Sequence, residues 1–165
     1  MRKQILTFLA ILFATIFSFS QESRSLPNVK VKTLGGDAFN ISDLDNNSKP
    51  MVISFWATWC KPCKKELNNI AEVYEDWQKK TGVKLIAVSI DDARSMSKVA
   101  PYISASDWEY EAYLDPNKDL CRRLGVSTVP HTFLLNSKKE IVWHHRGYVE
   151  GDEEELYNKI VELVK

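Results

Sequence analysis

Apolar and polar positions divide the chain into runs of two kinds, one with the period of a strand and one with the period of a helix. In "NVKVKTL", Val29, Val31 and Thr33 alternate with Lys30 and Lys32, as a half-buried strand requires. Gly35-Gly36-Asp37 then reads as a turn and "AFNISDL" as a short return strand, together a hairpin. "DNNSKP" is a loop. "MVISFWA", residues 51–57, is apolar except for Ser54, which suits a strand covered on both faces. After Pro62 the spacing changes. Leu67, Ile70, Ala71, Tyr74 and Trp77 recur at helical intervals, with Lys64, Lys65, Asn68, Asn69, Glu72 and Glu75 facing away. Thr81-Gly82 ends that helix, and "VKLIAVSI" (83–90) is a second buried strand. Residues 51–90 therefore read as strand, helix, strand, and a right-handed crossover makes the two strands parallel.

The second half carries shorter elements. A helix over 93–105 is limited by Pro101, and "EYEAYLD" (109–115) is a short strand. "NKDLCRRLG" (117–125) is a helix closed by Gly125. "HTFLLN" and "IVWHHRG" flank a polar turn, Ser137 to Glu140, and predict a second antiparallel hairpin. "DEEELYNKIVELVK" is the last helix. Asp152 is its expected cap, and the glutamates suit the positive end of the helix dipole. Leu156, Ile160, Leu163 and Val164 form its expected buried stripe. The order β-β-(βαβ)-α-β-α-β-β-α predicts an α/β fold, a mixed central sheet flanked by helices with an N-terminal β-hairpin extension.

The first twenty residues differ from the rest. Arg2 and Lys3 form a positive head, Ile5 to Phe19 is almost wholly apolar, and Ser18 and Ser20 are small residues before Gln21. That is the pattern of a secretory signal peptide, residues 1–20, cleaved after Ser20. The apolar run is shorter than the roughly 20 residues that span a bilayer. An uncleaved N-terminal membrane anchor is the competing reading. No cysteine follows the run, so no lipid attachment is expected. Either way the folded part is exported, periplasmic or otherwise extracytoplasmic. Residues 21–27 are polar, end in Leu26-Pro27 and read as a linker, leaving 28–165 as one domain. Over 165 residues, 44% are apolar and 11% aromatic, enough for a core without disulfide staples. Lys and Arg number 22, as do Asp and Glu, so no basic excess points to nucleic acid.

Export bears on the cysteines, because oxidising compartments let disulfides persist. Cys60 and Cys63 lie two residues apart in "FWATWCKPCKKEL". Zinc would need two more ligands, and the candidates Cys121, His131, His144 and His145 are not paired at ligand spacing. Haem attachment needs a histidine after the second cysteine, where Lys64 stands. A purely structural disulfide would close too short a loop to stabilise much. The redox reading fits the position best. Cys60 falls between a buried strand and a helix, where unpaired N–H groups and partial positive charge favour thiolate, and Lys61 adds a cation. Cys63 lies one turn inside, the more buried and less ionised sulfur. Pro62 is tolerated in a first helical turn. Cys121 reads as a small buried hydrophobe within a helix.

"FWATWCKPC" followed by "KKE", with "GVSTVPHTFLLN" downstream, resembles the TlpA/ResA-like thiol-disulfide oxidoreductases of the thioredoxin superfamily, over roughly residues 26–165. The resemblance implies a thioredoxin fold and disulfide exchange through Cys60 and Cys63. It implies a cis bond at Val129-Pro130, with Pro130 against the disulfide and the Val129 backbone pairing with the substrate chain. It implies a proton-relay role for Glu66, one turn beyond Cys63. Trp59 is expected to cover the disulfide and shape its rim, and Trp56 to serve packing. Ser54 stands where cytoplasmic thioredoxins put a buried aspartate, which shifts proton handling onto Glu66 or water. His131 is expected either near the site or as a plain strand residue. His144 and His145 are read as strand residues, one of them exposed.

The expected activity is reduction of protein disulfides, with apocytochrome c as a substrate by analogy, a membrane thiol electron donor, no metal or organic cofactor, and a monomer. A disulfide oxidase or isomerase is the nearest alternative, since direction depends on potential. A thiol peroxidase fits less well, because Ile53 and Ala57 stand where peroxiredoxins of similar fold put proline and threonine. A non-catalytic copper- or protein-binding module is the alternative of another class.

Overall fold

The computed structural model describes residues 24–165. The expected signal peptide lies outside the described residues. In chain order the elements are β1 (Arg24–Ser25), β2 (Lys30–Thr33), β3 (Ala38–Asn40), β4 (Met51–Trp56), α1 (Lys61–Thr81), β5 (Lys84–Ser89), α2 (Val99–Ala105), β6 (Glu111–Leu114), α3 (Asp119–Arg123), β7 (His131–Leu135), β8 (Glu140–Arg146) and α4 (Asp152–Val164). The strands form one mixed sheet in the order β1-β8-β7-β4-β5-β6-β2-β3. β4 is central, and all six of its residues are buried. It runs parallel to β5 and antiparallel to β7, which accounts for its nearly unbroken apolar sequence.

β4-α1-β5 and β5-α2-β6 step the same way across the sheet, with parallel strands in both. Right-handed crossovers therefore put α1 and α2 on one face. The side chains agree. Trp56 meets Tyr102 at 5.6 Å and Trp108 at 4.9 Å between ring centroids, and the Lys64 ammonium stands 5.2 Å from the Tyr102 ring. Trp108 Nε1 donates to Asn68 Oδ1 at 2.9 Å, and the Tyr110 hydroxyl donates to the Leu67 carbonyl at 2.7 Å. α4 packs beside α1, with Trp77 stacked on Tyr157 at 5.1 Å.

α1 buries Leu67, Ile70, Tyr74 and Trp77 as the periodicity predicts, and also Cys63, Glu66 and Thr81. Ile70 is fully buried, and truncating it to Ala would cost about 2–5 kcal/mol. Gly82 stops the helix in a left-handed conformation, φ 70°, and its N–H donates to the Gln78 carbonyl. The β2–β3 hairpin is antiparallel, and β2 joins the sheet edge through β6.

Three expectations need correction. Residues 24–25, read as part of a linker, form β1 and pair with β8, and Leu26 behind them is buried. Asp152 is not the cap of the last helix. Gly151 takes that place at φ 102°, a conformation glycine adopts without strain. Asp152 instead accepts the Val149 N–H at 2.7 Å and lies 3.1 Å from His145 Nε2. Leu163 and Val164 are 38% and 39% exposed. The last turn of α4 runs past the surface that Leu156 and Ile160 cover.

Candidate active site

The loop leaving β4 turns at once, the Cys60 N–H donating to the Ala57 carbonyl at 3.0 Å. Asp91, at the end of β5, holds that loop. Its buried carboxylate accepts the Thr58 N–H at 2.8 Å, the Thr58 hydroxyl at 2.7 Å and the Ser89 hydroxyl at 2.8 Å. Cys60 is thereby delivered to the N-cap position of α1, with extended backbone and its Sγ accepting the Cys63 N–H at 3.3 Å. Pro62 is in the first turn, where its missing N–H costs nothing. Cys60 and Cys63 form a disulfide, with Cα atoms 5.4 Å apart.

Val129-Pro130 is cis, as expected. Pro130 is buried and Val129 half-buried. β7 starts directly after this bond and runs antiparallel to β4, with Phe55 opposite His131. The proline and the cysteine loop therefore sit at the same end of the central strand pair. Among the described residues, the Val129 N–H and carbonyl make no backbone hydrogen bond. Trp59 stands 62% exposed on the cysteine loop, a rim position.

Behind the disulfide lies a buried polar chain. Ser54 on β4 and Thr132 on β7 are cross-strand partners, so their side chains share a face. α1 covers that face and delivers Glu66, only 4% exposed. Thr132 Oγ1 donates to Glu66 Oε1 at 2.7 Å and lies 3.2 Å from Ser54 Oγ. Glu66 Oε2 has no partner among the described residues. Burial pushes the Glu66 carboxyl up, the Thr132 bond pulls it part of the way back, and Asp152 and Glu153 on α4 push it up again, to about 7.

Other candidates fall outside this cluster. His131 is 1% exposed, stacks on Phe133 at 4.3 Å and has its Nε2 3.3 Å from His144 Nδ1. As Thr132's neighbour on β7 it faces the opposite side of the sheet. Burial is the main reason its imidazole falls to about 4, with His144, Arg146 and His145 adding to it, so it is neutral at pH 7. His144 is exposed and His145 half-buried. Cys121 is a buried free thiol that donates to the Val126 carbonyl at 3.3 Å. The sequence reading missed Thr132, Asp91 and Thr58. A lone polar residue inside "HTFLL" and an acid closing the apolar run "LIAVSI" were the available signals.

A thioredoxin-like sheet, a disulfide at the mouth of a helix and a cis-proline at the same end define a thiol-disulfide oxidoreductase of the thioredoxin superfamily. The chain belongs to the AhpC/TSA family, whose model matches residues 23–144, and within it to the TlpA/ResA-like proteins. It is 31% identical over 147 residues to sporulation thiol-disulfide oxidoreductase A of Bacillus subtilis, covering 84% of this chain and 87% of that one. Thiol-disulfide oxidoreductase ResA of Bacillus thuringiensis is 27% identical over 136 residues, 82% of this chain and 76% of that one. Among solved structures, an uncharacterized thioredoxin-like protein from Porphyromonas gingivalis is 49% identical with a TM-score of 0.76, covering 84% of this chain and 91% of that one.

Proposed function

We propose that this oxidoreductase works outside the cytoplasm as a reductase of protein disulfides, with Cys60 as nucleophile, Cys63 as resolving thiol and Glu66 as proton acceptor. The buried Glu66 one turn from Cys63 is the observation that carries the direction. A buried carboxylate one turn from Cys63 opposes negative charge on that sulfur. Strong oxidants of this superfamily stabilise the reduced, thiolate form. The α1 N-terminus favours one thiolate, at Cys60, while the buried Glu66 opposes a second at Cys63, which favours closing the Cys60–Cys63 bond and giving electrons away.

The Cys60 thiolate, stabilised by the α1 N-terminus, attacks one sulfur of a substrate disulfide. The other substrate sulfur leaves as a thiolate and takes a proton. The Cys63 thiol gives its proton to Glu66, and its thiolate attacks Cys60 Sγ. The Cys60–Cys63 bond forms, the mixed disulfide breaks, and the substrate leaves with both thiols reduced. Two electrons have passed to it, and its two sulfurs take up one proton from Glu66 and one from solvent. A membrane thiol electron donor then restores the dithiol. The free backbone of Val129, beside Pro130, suits pairing with an extended substrate segment, and Trp59 offers an apolar rim. The family resemblance makes apocytochrome c the first substrate to test.

Equilibration with a thiol buffer measures the potential. The reductase reading expects a value nearer about −270 mV than −120 mV, and a value at the oxidising end favours oxidase or isomerase work. Cys63→Ser should accumulate mixed disulfides in cells, whose mass spectrometry names the partners. Adducts from Cys60→Ser in its place would reverse the two roles.

A further inference from the structure

We propose that Thr132 is the positioning residue for proton transfer, fixing the Glu66 carboxylate through one oxygen so that the second is left free to take the Cys63 proton, and that Ser54 holds Thr132 in that orientation. The proposal rests on the reading of Glu66 as proton acceptor and adds the device that sets it.

The geometry leaves little choice of hydrogen positions. Ser54, Thr132 and Glu66 are 0%, 1% and 4% exposed, so water offers them no ready alternative. A threonine hydroxyl carries one hydrogen. When Glu66 is ionised, Thr132 spends that hydrogen on Oε1 at 2.7 Å. It can then only accept from Ser54, 3.2 Å away. The hydrogens point one way, from Ser54 through Thr132 to the carboxylate. Oε1 is occupied, and Oε2 is the oxygen left without a partner. The Thr132 side chain is β-branched and stiff at χ1, and its strand is paired on both sides, with Ser54 on β4 and His145 on β8. Its hydroxyl therefore has a fixed aim, whereas Glu66 alone on a helix would not.

The other groups acting on Glu66 are Asp152 and Glu153 on α4, which disfavour its charge, while the neutral Tyr110 hydroxyl is tied to the Leu67 carbonyl. Cys63 lies one turn away on the same helix. Thr132 is the main group favouring the charged form. In the step it serves, the Cys63 S–H bond breaks, the proton goes to Glu66 Oε2, and the Cys63 electron pair forms the bond to Cys60 Sγ. The substrate sulfur leaves with the electrons of the mixed disulfide.

The test is the pH dependence, from pH 5 to 9.5, of the single-turnover release of substrate thiol from the mixed disulfide. The wild type should show a limb near pH 7. Thr132→Val keeps the shape and loses the hydroxyl. It should move that limb upward by about one to two units, lowering the rate at pH 7 about five- to fiftyfold. Thr132→Ser should restore it. Glu66→Gln should remove the limb. A folded Thr132→Val protein with the limb unmoved, alongside a Glu66→Gln protein that lacks it, overturns the role of Thr132 alone. A limb that survives Glu66→Gln overturns the Glu66 reading and this proposal with it. Should Thr132→Val fail to fold, Ser54→Ala carries the test: the limb must move the same way by a smaller amount, and an unmoved limb overturns the proposal.

Discussion

Glu66 contributes to stability with a sign opposite to that of most carboxylates. Its carboxyl is raised from 4.5 to about 7 in the folded protein. The folded state therefore holds a proton that the unfolded chain releases between those two values. Stability present below about pH 4.5 is lost as pH rises through 7. The size is about 3–4 kcal/mol, from a shift of roughly two and a half units at about 1.4 kcal/mol each. Glu66→Gln cannot ionise, so it should match the wild type near pH 4.5 and exceed it at pH 8 by an amount of that order. Urea unfolding of the oxidised proteins at both pH values checks this. Equal stability of the two at pH 8 would mean that the carboxylate is not held in the dry surroundings described. His131 acts in the reverse sense. Its folded value is depressed, so its contribution is present above its unfolded value and is lost as pH falls toward 4. The two buried groups oppose one another over overlapping windows and flatten the wild-type profile.

At the level of strands and helices, the cysteines depend on a tie made far away in sequence. Asp91 receives three donors, two of them from Thr58 on the cysteine loop. An asparagine fits the same space but presents an amide nitrogen that cannot accept, so at least one buried donor loses its partner. Asp91→Asn should lower the unfolding free energy by about 1–3 kcal/mol and remove hydrogen-exchange protection from the Thr58 amide. Retained protection there would show that the turn holds itself. This tie also marks the limit of sequence reading. β4, α1 and β5 were legible because one or both of their faces are apolar and the period shows it. Cys60 and Cys63 were legible because they are neighbours in the chain. Thr132 and Asp91 were not, because their meaning comes from register. Thr132 matters only because it lies opposite Ser54, and no local pattern states which residues two strands will pair. The end of α4 misled for a related reason, since helical spacing continues into Leu163 and Val164 whether or not a surface waits for them. β1 was missed because a two-residue edge strand has no period to read.

Across the whole molecule, the fold and the redox centre are energetically separable. The apolar core runs continuously from the hairpin through the sheet to α4, whereas the disulfide joins residues only three apart. Chain-entropy stabilisation from so short a loop is about 2 kcal/mol, comparable to burying one large core side chain at about 1.5–3 kcal/mol and small beside the many such side chains the core holds. A protein whose disulfide opens and closes in each cycle requires this, because a fold that leaned on the bond would unfold at every turnover. Reduction should therefore leave a cooperative unfolding transition, with stability lowered by about 2 kcal/mol at most after allowance for the Glu66 contribution. Cys121 provides an internal gauge. It is buried, burial raises its thiol further above its usual value, and it lies in α3, outside the exchanging pair. Cys60 and Cys121 are equally buried, 5% exposed each, so the contrast comes from thiolate character. In the reduced native protein Cys60, at the α1 N-cap, should react with a thiol reagent at once, and Cys121, its thiol raised, far more slowly. Rapid labelling of Cys121 on reduction would show that the disulfide holds the domain closed, and the separation of core from chemistry would fail.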